Sequence, residues 1–286
     1  MCQIYGVNMS EGINISPFLK CFFAGSDKYR HGWGYADLSG KVPVIQREPT
    51  QGTLSALLTE KLSAPVIMSN AFAHMRYATV GGVTEDNCHP FFRADRFGGV
   101  WTFMHQGTVF TDCHNQYRAV QKGTTDSERI LYALVEQINE TDGIILRSKK
   151  KSTFCSDRRL LTSENFEGIN EEVFAREYKS MSERIETVEK FILSIADGNK
   201  LVLAIYDGEL LYLHCNYRDF LYIVEYKTGI MFCTVPLIDG DWMPIELNTM
   251  FVYKNGTLIY RGTTHEYEYF DTERDLLLLS RDPYAD

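Results

Sequence analysis

The residue of greatest chemical interest in this sequence is the second. A small second side chain permits removal of the initiator methionine, and Cys2 would then carry a thiol and a free α-amine on one residue. The α-amine has a reference pKa of about 7.7 to 8.0, so it can take the thiol's proton near neutrality without a separate histidine. Position alone is weak evidence, because a cysteine in second place is also an ordinary small apolar residue. Three histidines, His74, His89 and His105, lack a metal-ligand spacing such as His-x-x-x-His, so no metal site is expected and they read as structural hydrogen-bonders. The seven cysteines, Cys2, Cys21, Cys88, Cys113, Cys155, Cys215 and Cys233, are odd in number and contain no Cys-x-x-Cys pair. That pattern argues against both a disulfide framework and a zinc site.

Several stretches downstream raise the standing of Cys2. AHMRYATVGG occupies residues 73 to 82 and is followed by Asn87-Cys88-His89-Pro90-Phe91; WTFMHQG occupies 101 to 107 and TDSE 125 to 128. HGWGYA at 31 to 36 and TVPLIDGDW at 234 to 242 complete the set. Each is unspecific alone, but the ordered series resembles the class II glutamine amidotransferases, in particular their small stand-alone members, within the N-terminal nucleophile hydrolase group. The resemblance runs from residue 1 to about 260. It implies an α+β chain folded as a four-layer αββα sandwich, the N-terminal nucleophile hydrolase fold.

The resemblance also implies roles. Cys2 would attack the side-chain amide of glutamine or a γ-glutamyl compound, forming a γ-glutamyl thioester and releasing ammonia. Arg76 would hold the substrate α-carboxylate, which a planar guanidinium can engage through both oxygens. Tyr77 would line the same substrate site, and Asp126 would accept the α-ammonium. As bare sequence, Arg76 is also an ordinary ion-pairing strand residue, and Asp126 is favoured in a helix's first turn by the macrodipole. Gln106 and Gly107 stand where the family has Asn-Gly donating to the tetrahedral oxyanion. Glutamine keeps the NH₂ donor but carries it on one more methylene, displaced by about 1.5 Å unless the loop adjusts, and loss of such a donor costs about 10²- to 10³-fold in kcat. Three readings stay open: a tolerated substitute, a retuning for another γ-glutamyl substrate, or a silent glutamine-binding homologue. The retention of Cys2, Arg76, Gly107 and Asp126 favours the first two. His31 replaces the usual Asp, with no legible consequence.

The elements that must position these residues follow from periodicity. Cys2 to Val7, Trp33 to Leu38, Val42 to Ile45, Ala71 to Tyr77 and Val100 to Met104 read as strands, making the N-terminal half mostly sheet. Thr125 and Glu128 match a capping box, with Ile130, Leu131, Leu134, Val135 and Ile138 following at helical spacing. Residues 141 to 169 read as a loop insertion, and Val173 to Ile195 as a long amphipathic helix stopped by Asp197-Gly198-Asn199. Leu201 to Tyr206 and Glu209 to His214 flank an Asp207-Gly208 hairpin turn. Strands are expected at Phe220 to Glu225, Ile230 to Val235, Met250 to Tyr253 and, after Asn255-Gly256, Thr257 to Tyr260. A single domain over 1–265 with a C-terminal extension over 266–286 is the expected organisation.

Composition bounds the rest. The 286 residues carry 44% apolar and 23% charged side chains, typical of a globular chain. The net charge of −9 repels phosphate backbones, so nucleic acid is not an expected partner. No apolar run reaches the eighteen or so residues of a membrane span and no signal peptide stands at the start, so no membrane is expected and the setting is expected to be cytoplasmic. No cofactor is expected. The expected partners are glutamine or a γ-glutamyl small molecule and, for the ammonia, a separate synthase subunit, unless the protein is simply a γ-glutamyl hydrolase.

Overall fold

The computed structural model describes residues 2–111, 114–149, 180–238 and 240–280. Two antiparallel sheets carry most of the chain. The first contains β1 (Gln3–Asn14), β2 (Trp33–Asp37), β3 (Val44–Glu48), β4 (Ile67–Met75), β9 (Tyr222–Tyr226), β10 (Gly229–Cys233) and β11 (Met243–Pro244), in the spatial order β11-β9-β10-β1-β4-β2-β3. The second contains β5 (Phe91–Ala94), β6 (Val100–Thr108), β7 (Lys200–Tyr206), β8 (Leu211–Cys215), β12 (Met250–Lys254) and β13 (Thr257–Arg261), in the order β13-β12-β8-β7-β6-β5. The helices are α1 (Ser16–Ala24), α2 (Ala56–Ser63), α3 (Asp126–Lys149), α4 (Met181–Ala196) and α5 (Glu273–Leu279).

Strand alternation turns this into four layers, because successive side chains leave a strand on opposite faces. Tyr5, Val7 and Met9 of β1 and Ala71, Ala73 and Met75 of β4 pack outward against Leu19, Phe22, Phe23 and Leu58 of α1 and α2. The intervening Ile4 and Phe72 point the other way, onto Met104, Val202, Ala204 and Leu213 of the second sheet. The outer face of that sheet, with Trp101, Phe103, Leu203 and Ile205, is covered by Leu131, Leu134, Val188, Phe191 and Ile192 of α3 and α4. The result is the αββα sandwich. Each of these large apolar side chains is worth about 1.5–3 kcal/mol when fully buried.

Sequence expectation and structure differ in several places, β5 and β11 among the strands that were not expected. The N-terminal half also holds α1 and α2: Leu19, Phe22 and Phe23 of α1 lie at helical spacing behind a Pro in its first turn, and Ser55 caps α2 by accepting from Leu58 N–H at 3.0 Å. Residues 141–149 are helical, not part of a loop, because α3 continues to Lys149. No proline stands in the run, one glycine costs only about 1 kcal/mol, and helix propagation adds a hydrogen bond with each residue. Residues 150–169 of the expected insertion, and 173–179 of the expected long helix, lie outside the described residues. The described helix α4 begins at Met181, where Ser180 and Glu183 form a reciprocal capping box, so the expected helix does not run unbroken through Ser180. Finally, β4 ends at Met75, because the next residues leave the ladder to build the site described below.

Turn chemistry is as the dipeptides imply. Asn255 and Gly256 both have positive φ, at 48° and 76°, and join β12 to β13. At the other hairpin Asp207 accepts the backbone N–H groups of Glu209 and Leu210, and its carboxylate also meets Arg184 of α4 at 3.5 Å, tying that helix to the sheet.

Candidate functional site

Strand register brings the first site residues together. Gln3 of β1 pairs with Met75 of β4, so Cys2 falls opposite the segment that follows β4. There the Tyr77 N–H donates to Cys2 Sγ at 3.3 Å, and Sγ lies 3.4 Å from the Tyr77 carbonyl oxygen. The strand start is held from its other side: Thr234, first of the TVPL stretch, accepts from Ile4 N–H at 3.0 Å and donates to Gln3 Oε1 at 2.7 Å. Burial pushes the Cys2 thiol up, and Asp126 adds to that, while the Tyr77 N–H and Arg76 favour the thiolate. Arg76 and Asp126 thus act on the sulfur with opposite signs, although neither lines the cleft beside it.

His31 shapes the segment carrying Tyr77. Its Nδ1 accepts from Ala78 N–H at 2.9 Å, its own N–H donates to the Arg76 carbonyl at 3.1 Å, and its ring stands 4.9 Å from that of Tyr77. Nearby, Gly34 permits close approach of another stretch, since a Cβ there would fall 1.8 Å from the His89 carbonyl oxygen. Thus HGWGYA supplies a support for residues 76–78 and a groove for 87–90.

Arg76 is buried, and its guanidinium donates to the carbonyls of Gly82 at 2.8 Å and of Val80 and Gly81 at 3.1 Å. Three of the five guanidinium N–H groups are thereby engaged. Asn87 fixes that loop: its amide donates to Gly82 O and Thr124 Oγ1, and its carbonyl accepts from Thr124 N–H at 2.7 Å, linking residues 80–82 to the approach to α3. Asp126, the first residue of α3, accepts Val109 N–H at 2.8 Å on one oxygen and Ser127 N–H at 3.0 Å on the other. An ionised carboxylate has about four acceptor sites, so capacity remains for an ammonium. The cap differs from the expected reciprocal box. Thr125 does accept from Glu128 N–H, at 3.3 Å, but the Glu128 carboxylate turns to Lys122 and Gly123 N–H at 2.8 Å.

Gln106 lies on β6 two residues from Met104, hence on the face turned toward the first sheet. It is 1% exposed, and neither its Oε1 nor its Nε2 has a hydrogen-bond partner. Gly107 has φ 149° and no room for a side chain, a Cβ being 1.8 Å from the Lys200 carbonyl oxygen. His105, on the opposite face, bridges β6 and α3, with Nε2 at 3.0 Å from Lys200 O and Nδ1 at 3.0 Å from Ser127 Oγ. A carbonyl only accepts, so the proton sits on Nε2 and Nδ1 takes the Ser127 hydroxyl.

Of the three motif histidines, only His105 is the hydrogen-bonder that sequence reading expects. The His74 and His89 rings lie 4.3 Å apart between centroids, tilted by 35°, with all four ring nitrogens unpartnered. Burial drives His74 down to about 3 and His89 well below its ordinary value, so both are neutral packing groups. Among the described residues no three His, Cys, Asp or Glu side chains are arranged to hold a metal ion, and no helix is long and apolar enough to cross a membrane. Cys88, Cys215 and Cys233 are buried free thiols and Cys21 is an exposed one; Cys113 and Cys155 lie outside the described residues.

A cleft beside Cys2 is walled by Tyr77, Gly107 and Lys200 and, from the C-terminal segment, by Asp271, Asp275, Leu276 and Leu278. Sequence reading missed this contribution. Lys200 at the head of an apolar strand was one signal, and the pattern Thr272-x-x-Asp275, which forms a capping box at α5, was another.

The sequence model of the glutamine amidotransferases class-II matches residues 1–274. An uncharacterised protein of Methanocaldococcus jannaschii is 28% identical over 271 residues, covering 91% of this chain and 71% of its own length. Among solved structures, a predicted glutamine amidotransferase of Pseudomonas aeruginosa is similar with TM-score 0.53 and 17% identity, over 91% of this chain and 95% of that one. The glutamine phosphoribosylpyrophosphate amidotransferase of Bacillus subtilis is similar with TM-score 0.54 and 12% identity, over 93% of this chain but 49% of that one. At those identities the structural likeness establishes the fold, that of the N-terminal nucleophile hydrolases. The sequence match, running through nearly the whole chain, establishes the rest: this protein belongs to the class-II glutamine amidotransferases, enzymes that hydrolyse or transfer the side-chain amide of glutamine.

Proposed function

We propose that this chain cleaves the γ-amide of glutamine or of a γ-glutamyl compound with Cys2 as nucleophile. The observation that carries the reading is the half-buried Cys2 sulfur, held by the Tyr77 N–H and lining a cleft with Gly107, with Arg76 favouring its thiolate and Asp126 opposing it. Met1 lies outside the described residues; its removal would expose the α-amine as the base that takes the thiol proton. The thiolate then adds to the γ-carbonyl carbon, the C–N bond breaks, and the proton leaves with the amine or ammonia. Water attacks the resulting thioester, glutamate departs, and the thiol is restored.

Binding roles follow from charge. Arg76 takes the α-carboxylate in exchange for the 80–82 carbonyls, Asp126 takes the α-ammonium, and Tyr77 walls the site. Gln106 has an unpartnered buried amide, and a buried donor without a partner is poised to stabilise an oxyanion formed beside it. Gly107 supplies the close backbone approach. The liberated ammonia goes to a synthase that consumes it or to solvent; the match covers 49% of the Bacillus subtilis relative.

The test is glutamate release from glutamine and γ-glutamyl peptides by wild-type protein and Cys2→Ala, with intact-mass spectrometry to establish whether Met1 is removed. Equal rates in the two proteins would end the reading. Ligand-induced stabilisation without turnover would support instead the silent binder that the Gln106 replacement also suggests.

A further inference from the structure

The cleft beside Cys2 contains a lysine whose counter-ion belongs to the C-terminal extension. The Lys200 side chain is 2% exposed, and its ammonium lies 3.4 Å from the Tyr217 ring centroid and 5.6 Å from those of Phe220 and Tyr269. Its carboxylate partner is Asp271, with Oδ1 at 2.7 Å, whose side chain is 53% exposed and also accepts the Tyr217 hydroxyl at 2.5 Å. Lys200 is rigidly placed against the candidate oxyanion strand: its carbonyl accepts from His105 and abuts Gly107.

The segment carrying Asp271 belongs to neither sheet. It is held by Tyr269 N–H to Asn216 O at 2.7 Å, by Asn216 Nδ2 to Tyr267 O at 3.1 Å, by the Arg218–Glu268 ion pair and by the stacking of Tyr269 on Phe110, while Leu276 and Leu277 of α5 are 68% and 66% exposed. A buried ammonium without an anion is strongly destabilising. A ligand that entered and displaced this segment would therefore have to bring a negative charge of its own. A neutral ligand would leave either the ammonium bare or the segment in its way.

We propose that Lys200 is the recognition point for a second carboxylate on the substrate, and that Asp271 occupies that point until substrate arrives. The favoured substrates are γ-glutamyl amides whose leaving amine carries a carboxylate, as in a γ-glutamyl amino acid, over glutamine itself. The inference rests on the Cys2 cleft being the substrate site.

The experiment compares two ligands of similar size, γ-glutamylglycine and the uncharged γ-glutamylethylamide, by calorimetric binding to the full-length Cys2→Ala protein. A charge-assisted contact predicts that γ-glutamylglycine binds roughly tenfold to a hundredfold more tightly. Adding Asp271→Asn should tighten γ-glutamylglycine further, and adding Lys200→Met should abolish the preference, while Lys200→Arg keeps most of it. Equal affinity of the two ligands, an equal loss of both on Lys200→Met, or binding of neither overturns the proposal; Asp271→Asn keeps it falsifiable if Lys200→Met does not fold. Hydrolysis by the protein with Cys2 intact separates the two readings. Binding with the preference but no Cys2-dependent turnover removes the hydrolase reading alone, and turnover without the preference removes the Lys200 assignment alone.

Discussion

Replacement of Gly107 by alanine tests the geometry where the second sheet meets the candidate site. The new Cβ would stand 1.8 Å from the Lys200 carbonyl oxygen and 2.7 Å from His105 Nε2. A carbon–oxygen contact of about 3.3–3.6 Å is the ordinary approach, so β6 and β7 would have to part by roughly 1.5 Å. Three effects add. A non-glycine residue at φ 149° costs about 1–3 kcal/mol, overpacking a further ~1–3 kcal/mol, and stretching the His105–Lys200 bond about 0.5–1.5 kcal/mol. The expected loss is about 2.5–7.5 kcal/mol, a large share of the 5–15 kcal/mol typical of a domain. Gly208 supplies the control, because it too has positive φ, 92°, with nothing within 4 Å of its would-be Cβ. Gly208→Ala should therefore lose only the backbone share, about 1–3 kcal/mol. Urea unfolding followed by tryptophan fluorescence measures both variants. If Gly107→Ala is destabilised no more than Gly208→Ala, the argument from close approach is wrong.

Other consequences can be measured in the same protein. Burial drives His74 and His214 down to about 3 in the folded chain, whereas the unfolded chain binds their protons near 6.5. Their contribution to stability is complete above pH 6.5 and falls with acid, by up to about 1.4 kcal/mol per pH unit for each histidine, down to about pH 3. Denaturant titrations between pH 6.5 and 5 should show this slope, and His214→Gln should flatten it; an unchanged slope contradicts the assignment. Asn87→Ala removes the link between the 80–82 loop and Thr124, so KM for glutamine should rise severalfold with a stability loss of about 1–3 kcal/mol. An unaltered KM would show that the loop is held by other means. Ser180→Ala, far from the cleft in sequence and at the exposed start of α4, should lose about 1 kcal/mol through its cap while leaving steady-state kinetics as they are.

Signals spanning a few residues were readable from the chain alone. Alternating apolar residues marked the strands, Asn255-Gly256 and Asp207-Gly208 marked hairpins because their backbones tolerate positive φ or self-capping, and Thr125 marked the start of α3. The motif order, from Cys2 through Arg76 and Gln106 to Asp126, marked the family. Less legible were α1 and α2, short helices whose apolar faces are interrupted, and the continuation of α3 past residue 141. What no local pattern could decide was partnership across the fold. Arg76 spends its donors on three loop carbonyls, and His74 with His89 has no partner for any nitrogen. Lys200 meets Asp271 from 71 residues away, at the wall of the Cys2 cleft. Such contacts depend on strand register and on how two sheets and a returning C-terminal segment converge, and those are set by packing over the whole molecule and not by the residues on either side.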